Sequence, residues 1–130
     1  MIVLDTHVAV WMLIDPNQLS GTARQIIREE LERGEKVGCS AVSLYEIANA
    51  VRRERLKLKY PVAKFLAALR TRLTVISLTP EIAIAAARLE SPMHGDPMDR
   101  LIAATAVIEN CALVTADRRL QAAGSCRTIW

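Results

Sequence analysis

Four acidic side chains stand where a parallel α/β sheet would expose them along one edge. Asp5 closes the apolar run Ile2-Val3-Leu4, and Glu46 lies five residues beyond the short apolar run that ends at Ala41. Asp117 lies two residues beyond Thr115, the end of the run ALVT, and Asp99 sits in the first turn of an apolar stretch that precedes it. In open parallel sheets the functional crevice lies beyond the carboxyl ends of the strands. Carboxylates gathered there would repel one another and raise one another's pKa. No Lys or Arg recurs beside all four, so a hard divalent cation is the simplest neutraliser, and oxygen-only donors suit Mg²⁺ or Mn²⁺ over zinc. Such a centre most naturally activates water for attack on a phosphodiester.

Each of these residues also has a plainer reading. Asp96 precedes Pro97, which suits the first helical position, so Asp96 reads as an N-cap. Asp96 and Asp99 together would also complement the dipole of that helix start. Ser43 and Glu46 have the S-x-x-E spacing of a capping box, with Ser43 opening the helix. Thr6 and Thr115 adjoin the carboxylates and can orient them or a phosphate through their hydroxyls, or serve as turn residues.

The elements that must position these side chains follow from periodicity and punctuation. Strands are expected at Ile2–Leu4, Lys36–Ala41, Leu73–Leu78, Ala112–Thr115 and, at the end, Arg127–Trp130. Helices are expected at His7–Ile14, from Thr22 to a Gly34 C-cap, from Ser43, over Val62–Arg72, from Pro80, over Asp96–Glu109, and as a short turn from Asp117. Strands alternate with helices and no hairpin signal intervenes. That pattern predicts one α/β domain over residues 1–130, three-layered, with a central, mostly parallel sheet of four to five strands flanked by helices.

Composition narrows the class. The chain has 130 residues, of which 52% are hydrophobic and 24% charged, which argues against disorder. Only 4% are aromatic, so the core must be aliphatic, as in helices packed on a buried parallel sheet. No apolar run reaches the roughly 18–20 residues of a membrane span, and the first residues do not read as a secretory signal. The three cysteines, Cys39, Cys111 and Cys126, show no CxxC spacing and read as free thiols of a reducing cytoplasm. Net charge is +3 and the isoelectric point about 9.0. Setting the four carboxylates aside leaves 10 acidic against 17 basic residues, an excess of +7. A basic body around an acidic pocket fits a phosphate-rich polymer.

Four segments, LDTHVAVW, SAVSLYEIA, HGDPMDRLIAATA and LVTADRRL, together resemble the PIN-domain family, and specifically the small toxin ribonucleases of VapC type from toxin–antitoxin pairs. They span nearly the whole chain in the family's order and spacing. The resemblance implies a metal-dependent endoribonuclease, cytoplasmic, inhibited by a cognate antitoxin and forming a homodimer. It implies Asp5 and Asp99 as the principal Mg²⁺ ligands, with Mn²⁺ an alternative ion. Glu46 would complete the ligand shell or orient water, and Asp117 would act at a second metal or through water. Asp99 is preferred over Asp96 because it precedes Leu101-Ile102-Ala103-Ala104 as the family's metal aspartate does; Asp96 is left as a cap or a water-mediated contributor.

Arg100 is expected to meet phosphate or a carboxylate. His7 and His94 could approach RNA. The cations from Arg52 to Lys59 read as a solvated helix end, and Trp11 and Trp130 as packing residues. Apolar helix faces such as Val62–Leu69 exceed what one small core needs, which agrees with the homodimer that the resemblance implies. Two other classes compete with the nuclease: an aspartate phosphoacceptor of a signalling module, and a PIN domain that binds RNA or a partner without cutting.

Overall fold

The computed structural model describes residues 1–90 and 95–130. His94 lies outside the described residues. Five strands form one sheet in the order β3-β2-β1-β4-β5, and every pairing is parallel. The strands are β1 (Ile2–Leu4), β2 (Val37–Ser40), β3 (Thr74–Ile76), β4 (Ala112–Val114) and β5 (Thr128–Ile129). β1 has the expected bounds, and the other four are each shorter than the apolar runs that predict them.

Alternation along β1 divides the core between the two faces of the sheet. Ile2 and Leu4 join Val37, Cys39 and Val114 on one face, where Val8, Ile27, Ile47, Phe65 and Leu69 cover them. Those side chains belong to α1 (Thr6–Ile14), α2 (Gly21–Glu32), α3 (Val42–Arg52) and α4 (Val62–Arg72). Val3 and Leu113 point the other way, onto Ile102, Ala103 and Ala106 of α6 (Pro97–Ile108) and Leu120 of α7 (Arg118–Ala123). Helix α5 (Pro80–Arg88) packs on α6 through Ile82, Ala86 and Ala104. The result is the expected three-layer α/β arrangement. Cys39, Cys111 and Cys126 are free thiols. Among the described residues, no helix is long and apolar enough to cross a membrane.

The chain runs outward from β1 through β2 to β3, then returns to lay β4 and β5 on β1's other side. The reversal places a switch point between β1 and β4, where a crevice opens beyond the strand ends. Asp5 follows β1 there, and Thr115 follows β4 beside it.

Of the apolar stripe on α4, Phe65 and Leu69 are fully buried in the chain's own core and Val62 and Leu66 are partly buried against it, while Ala63, Ala67 and Ala68 stay exposed. Large apolar side chains remain exposed elsewhere, among them Leu78, Ile84, Val107 and Ile108.

Three helices end in the same paired turn, in which two successive N–H groups return to carbonyls of the last turn. Helix α2 ends this way at Gly34, α6 at Asn110 and α3 at Glu54, each with positive φ. Glycine adopts that backbone freely, whereas a glutamate is strained there by about 1 kcal/mol. Glu54→Gly should therefore raise unfolding stability by roughly 0.5–1 kcal/mol, read as a higher midpoint in urea. A lower midpoint would show that the Glu54 side chain contributes more than its backbone costs.

Candidate active site

Asp5 is fixed by both of its carboxylate oxygens. The backbone N–H of Thr6 donates to Oδ1 at 2.7 Å, the N-cap bond of α1, and the Thr115 hydroxyl donates to Oδ2 at 2.8 Å. The Thr115 oxygen also accepts the backbone N–H of Asp117 at 3.0 Å. One fully buried hydroxyl thus ties the end of β1 to the turn after β4, across the switch point. Its contact depends on register, since Leu4 pairs with Val114 and the next residues, Asp5 and Thr115, fall side by side.

Thr6 makes the second tie. Its Oγ1 lies 2.6 Å from Glu46 Oε1 and 2.9 Å from Ser43 Oγ. A hydroxyl carries one proton, so Thr6 donates to the carboxylate and Ser43 supplies the hydrogen of the second contact. Ser43 therefore does not open a capping box. Helix α3 begins at Val42, directly after the strand, and its N-cap Ala41 provides no side-chain bond. Ala41 is still tied to the sheet through its N–H to the Ile76 carbonyl at 2.8 Å, which brings the helix start forward by one residue. Ser43 and Glu46 are then turned toward α1. Ser43 was not singled out as a site residue, and its S-x-x-E spacing was the available signal, read as a cap.

At the start of α6 the two aspartates separate. Asp96 is the N-cap, accepting the N–H groups of Met98 at 2.9 Å and Asp99 at 3.4 Å. Asp99, in the first turn, is half-buried and faces the other acids. Burial and the negative charges of Asp96, Asp5, Glu46 and Asp117 push its carboxyl up to about 7. Burial likewise raises Glu46 above the usual carboxylate range, against the bond from Thr6. It raises Asp5 despite the bonds from Thr115 and Thr6. Asp117 differs: burial pushes it up, but Arg119 outweighs this and leaves it below its ordinary value. Asp117 caps α7 through the Arg119 N–H at 2.8 Å and pairs with that guanidinium at 3.3 Å. Arg119 is a neighbour the sequence reading missed, signalled only by the D-R-R run.

Arg100 is placed elsewhere. Its Nε donates to the Ala86 carbonyl at 3.2 Å, and its guanidinium also binds the Leu89 carbonyl. It closes the C-terminal end of α5, where carbonyls left over by the helix attract a cation. Trp11 packs against Trp130, with ring centroids 6.0 Å apart.

The family model for the PIN domain matches residues 2–125. The chain belongs to the PIN-domain family. It is 38% identical to Ribonuclease VapC22 of Mycobacterium tuberculosis over 99% of its own length and 98% of that protein's. Its fold is similar to VapBC2 from Rickettsia felis bound to a promoter DNA fragment, with a TM-score of 0.74 and 21% identity over 99% of this chain and 98% of that one. It is also similar to DNA-bound VapBC from Salmonella typhimurium, with a TM-score of 0.74 and 18% identity over 98% and 96% of the two chains. At such identities these structures speak for the fold.

The donor chemistry of this PIN domain fits a hard divalent cation. Its acids are oxygen donors that raise one another's pKa, and Arg119 pairs with Asp117. Among the described residues, no three His, Cys, Asp or Glu side chains are grouped closely enough to hold a metal ion. The carboxylates approach one another from separate elements of the fold.

The raised carboxyl of Asp99 carries a consequence for stability. A folded-state pKa above the unfolded value means that the native state holds the extra proton between about pH 4 and 7, so stability falls as pH rises through that window. Allowing for solvent screening, about 1–2 kcal/mol is at stake. Metal-free Asp99→Asn should melt above the wild type at pH 8 and level with it near pH 4, as followed by circular dichroism. Equal melting at both pH values would rule out the electrostatic strain.

Proposed function

We propose that this PIN domain is the toxin ribonuclease of a toxin–antitoxin pair, a metal-dependent endoribonuclease that hydrolyses RNA phosphodiesters. The observation that carries the reading is the arrival of Asp5, Glu46, Asp99 and Asp117 from four separate elements at one sheet edge, with Asp99 pushed to about 7. The likeness to Ribonuclease VapC22 over nearly the full length supports RNA as the substrate.

Asp5, Asp99 and Glu46 would hold Mg²⁺, or Mn²⁺ in its place, and Asp117 would contribute through water or at a second ion. Bound there, a divalent cation supplies charge neutralisation and activates water for in-line attack. The protein's own part is positional. Thr115 and the Thr6 N–H keep both oxygens of Asp5 aimed, and the Thr6 hydroxyl holds Glu46. Helix α6 pins Asp99 by packing its small side chains on the sheet. Asp96 serves as the helix cap.

A phosphoacceptor role fits Asp5 poorly, since the side chain is only 5% exposed and both oxygens already accept hydrogen bonds. The names of the structural relatives, VapBC complexes, support an antitoxin partner. A homodimer and a cytoplasmic location complete the reading.

Purified, antitoxin-free protein incubated with total RNA and Mg²⁺ should yield discrete fragments, and EDTA should abolish them. Asp5→Asn and Asp99→Asn should each lower the rate by at least about a hundredfold. Cleavage that persists in EDTA or in either variant would sink the metal mechanism. Thr115→Val leaves all four carboxylates in place but frees Asp5, and should weaken Mg²⁺-dependent activity by about 10–100-fold. Its signature is recovery at high Mg²⁺; a loss that excess Mg²⁺ does not restore would refute the positioning role.

A further inference from the structure

A cavity of about 450 Å³ adjoins the carboxylates and is continuous with them through Thr6, Glu46 and Asp96. Its remaining walls differ from the acidic edge. His7 and Tyr45 contribute rings, Arg53 and Arg55 contribute cations, and Val10, Ile47, Leu56 and Met98 contribute apolar side chains. Tyr45 is 61% exposed, a large aromatic left open on α3 one residue before Glu46. His7 is exposed on α1 and lies 5.8 Å from Trp11, which Trp130 supports from behind. The two arginines flank Glu54, whose left-handed backbone turns the chain at the end of α3 and directs it back toward the cavity. The cations from Arg52 onward are thus more than a solvated helix end: two of them share a cavity with aromatic rings.

We propose that this cavity is a subsite for one unpaired nucleotide of the RNA next to the cut, a reading that rests on the ribonuclease assignment. The base packs on Tyr45 and His7, and its phosphate meets Arg53 and Arg55. Aromatic faces with nearby guanidinium groups are how single-stranded RNA is held, because only an unstacked base offers its π-face. The acidic edge repels phosphate in the absence of metal, so cations set to one side of it supply the attraction that positions the strand. An apolar protein helix is a poorer occupant, since it would strip water from Arg53, Arg55 and Glu46 without pairing them.

The test is fluorescence anisotropy with a labelled oligouridylate in EDTA, where metal-dependent cleavage is suppressed, together with copies carrying one abasic nucleotide at each position. Stacking tolerates sequence, so this probe suffices. Wild-type protein should bind the intact strand and lose about tenfold at one abasic position. Tyr45→Ala should lose about tenfold on the intact strand and no more at that position, whereas Tyr45→Phe should bind as wild type. The Arg53→Ala, Arg55→Ala double variant should weaken binding at every position and flatten its salt dependence. Additive losses for Tyr45→Ala and the abasic strand, unchanged binding by these variants, or no binding by the wild type would overturn the subsite. So would variants that keep RNA affinity but lose the antitoxin. Wild-type protein that cuts total RNA with Mg²⁺ while failing these tests would leave the ribonuclease reading standing; no cleavage at all would remove that reading itself.

Discussion

Like charge gathered toward one sheet edge is the constraint that orders this molecule. Acids from β1, α3, α6 and the turn after β4 are brought to one edge, and each raises the energy of its neighbours. Nothing in that arrangement favours folding. It persists because the scaffold behind it is rigid: buried aliphatic strands, a helix whose alanines allow close packing, and two threonine hydroxyls that leave the acids few alternative rotamers. A site of this kind resembles a drawn spring, stabilised from outside by packing and relaxed by a cation.

The division of labour among the acids follows from where each is anchored. Asp5 is the most buried and the most tightly hydrogen-bonded, which suits a fixed reference point. Asp99 lies on a helix that spans the sheet edge and feels every other acid, so its charge is the most sensitive to what binds. Asp117, neutralised by Arg119, is the least strained and the least committed. Asp96 spends one carboxylate oxygen on two backbone N–H groups. Four acids that look alike in the sequence therefore differ in mobility and in electrostatic cost.

Much of this was legible before any coordinates. Apolar runs alternating with amphipathic ones predicted the parallel sheet, and the acids at the ends of those runs, Asp5, Glu46, Asp99 and Asp117, lie toward one edge of it. Pro97 after Asp96 identified the cap, because proline's fixed φ and missing N–H suit a helix start. What stayed hidden was tertiary. The S-x-x-E spacing at Ser43 is the same whether the serine caps its own helix or faces Thr6 on another, and only the early start of α3 decides between them. Arg100 beside an aspartate looked like a ligand for phosphate, yet the open carbonyls of α5 lie 11–14 residues earlier and claim it.

That claim on Arg100 also bears on how Asp99 is held. The guanidinium clips the end of α5 to the start of α6, one residue after Asp99. A cation that closes one helix end thus anchors the first turn of the next, and the acid beside it takes its place from two helices at once.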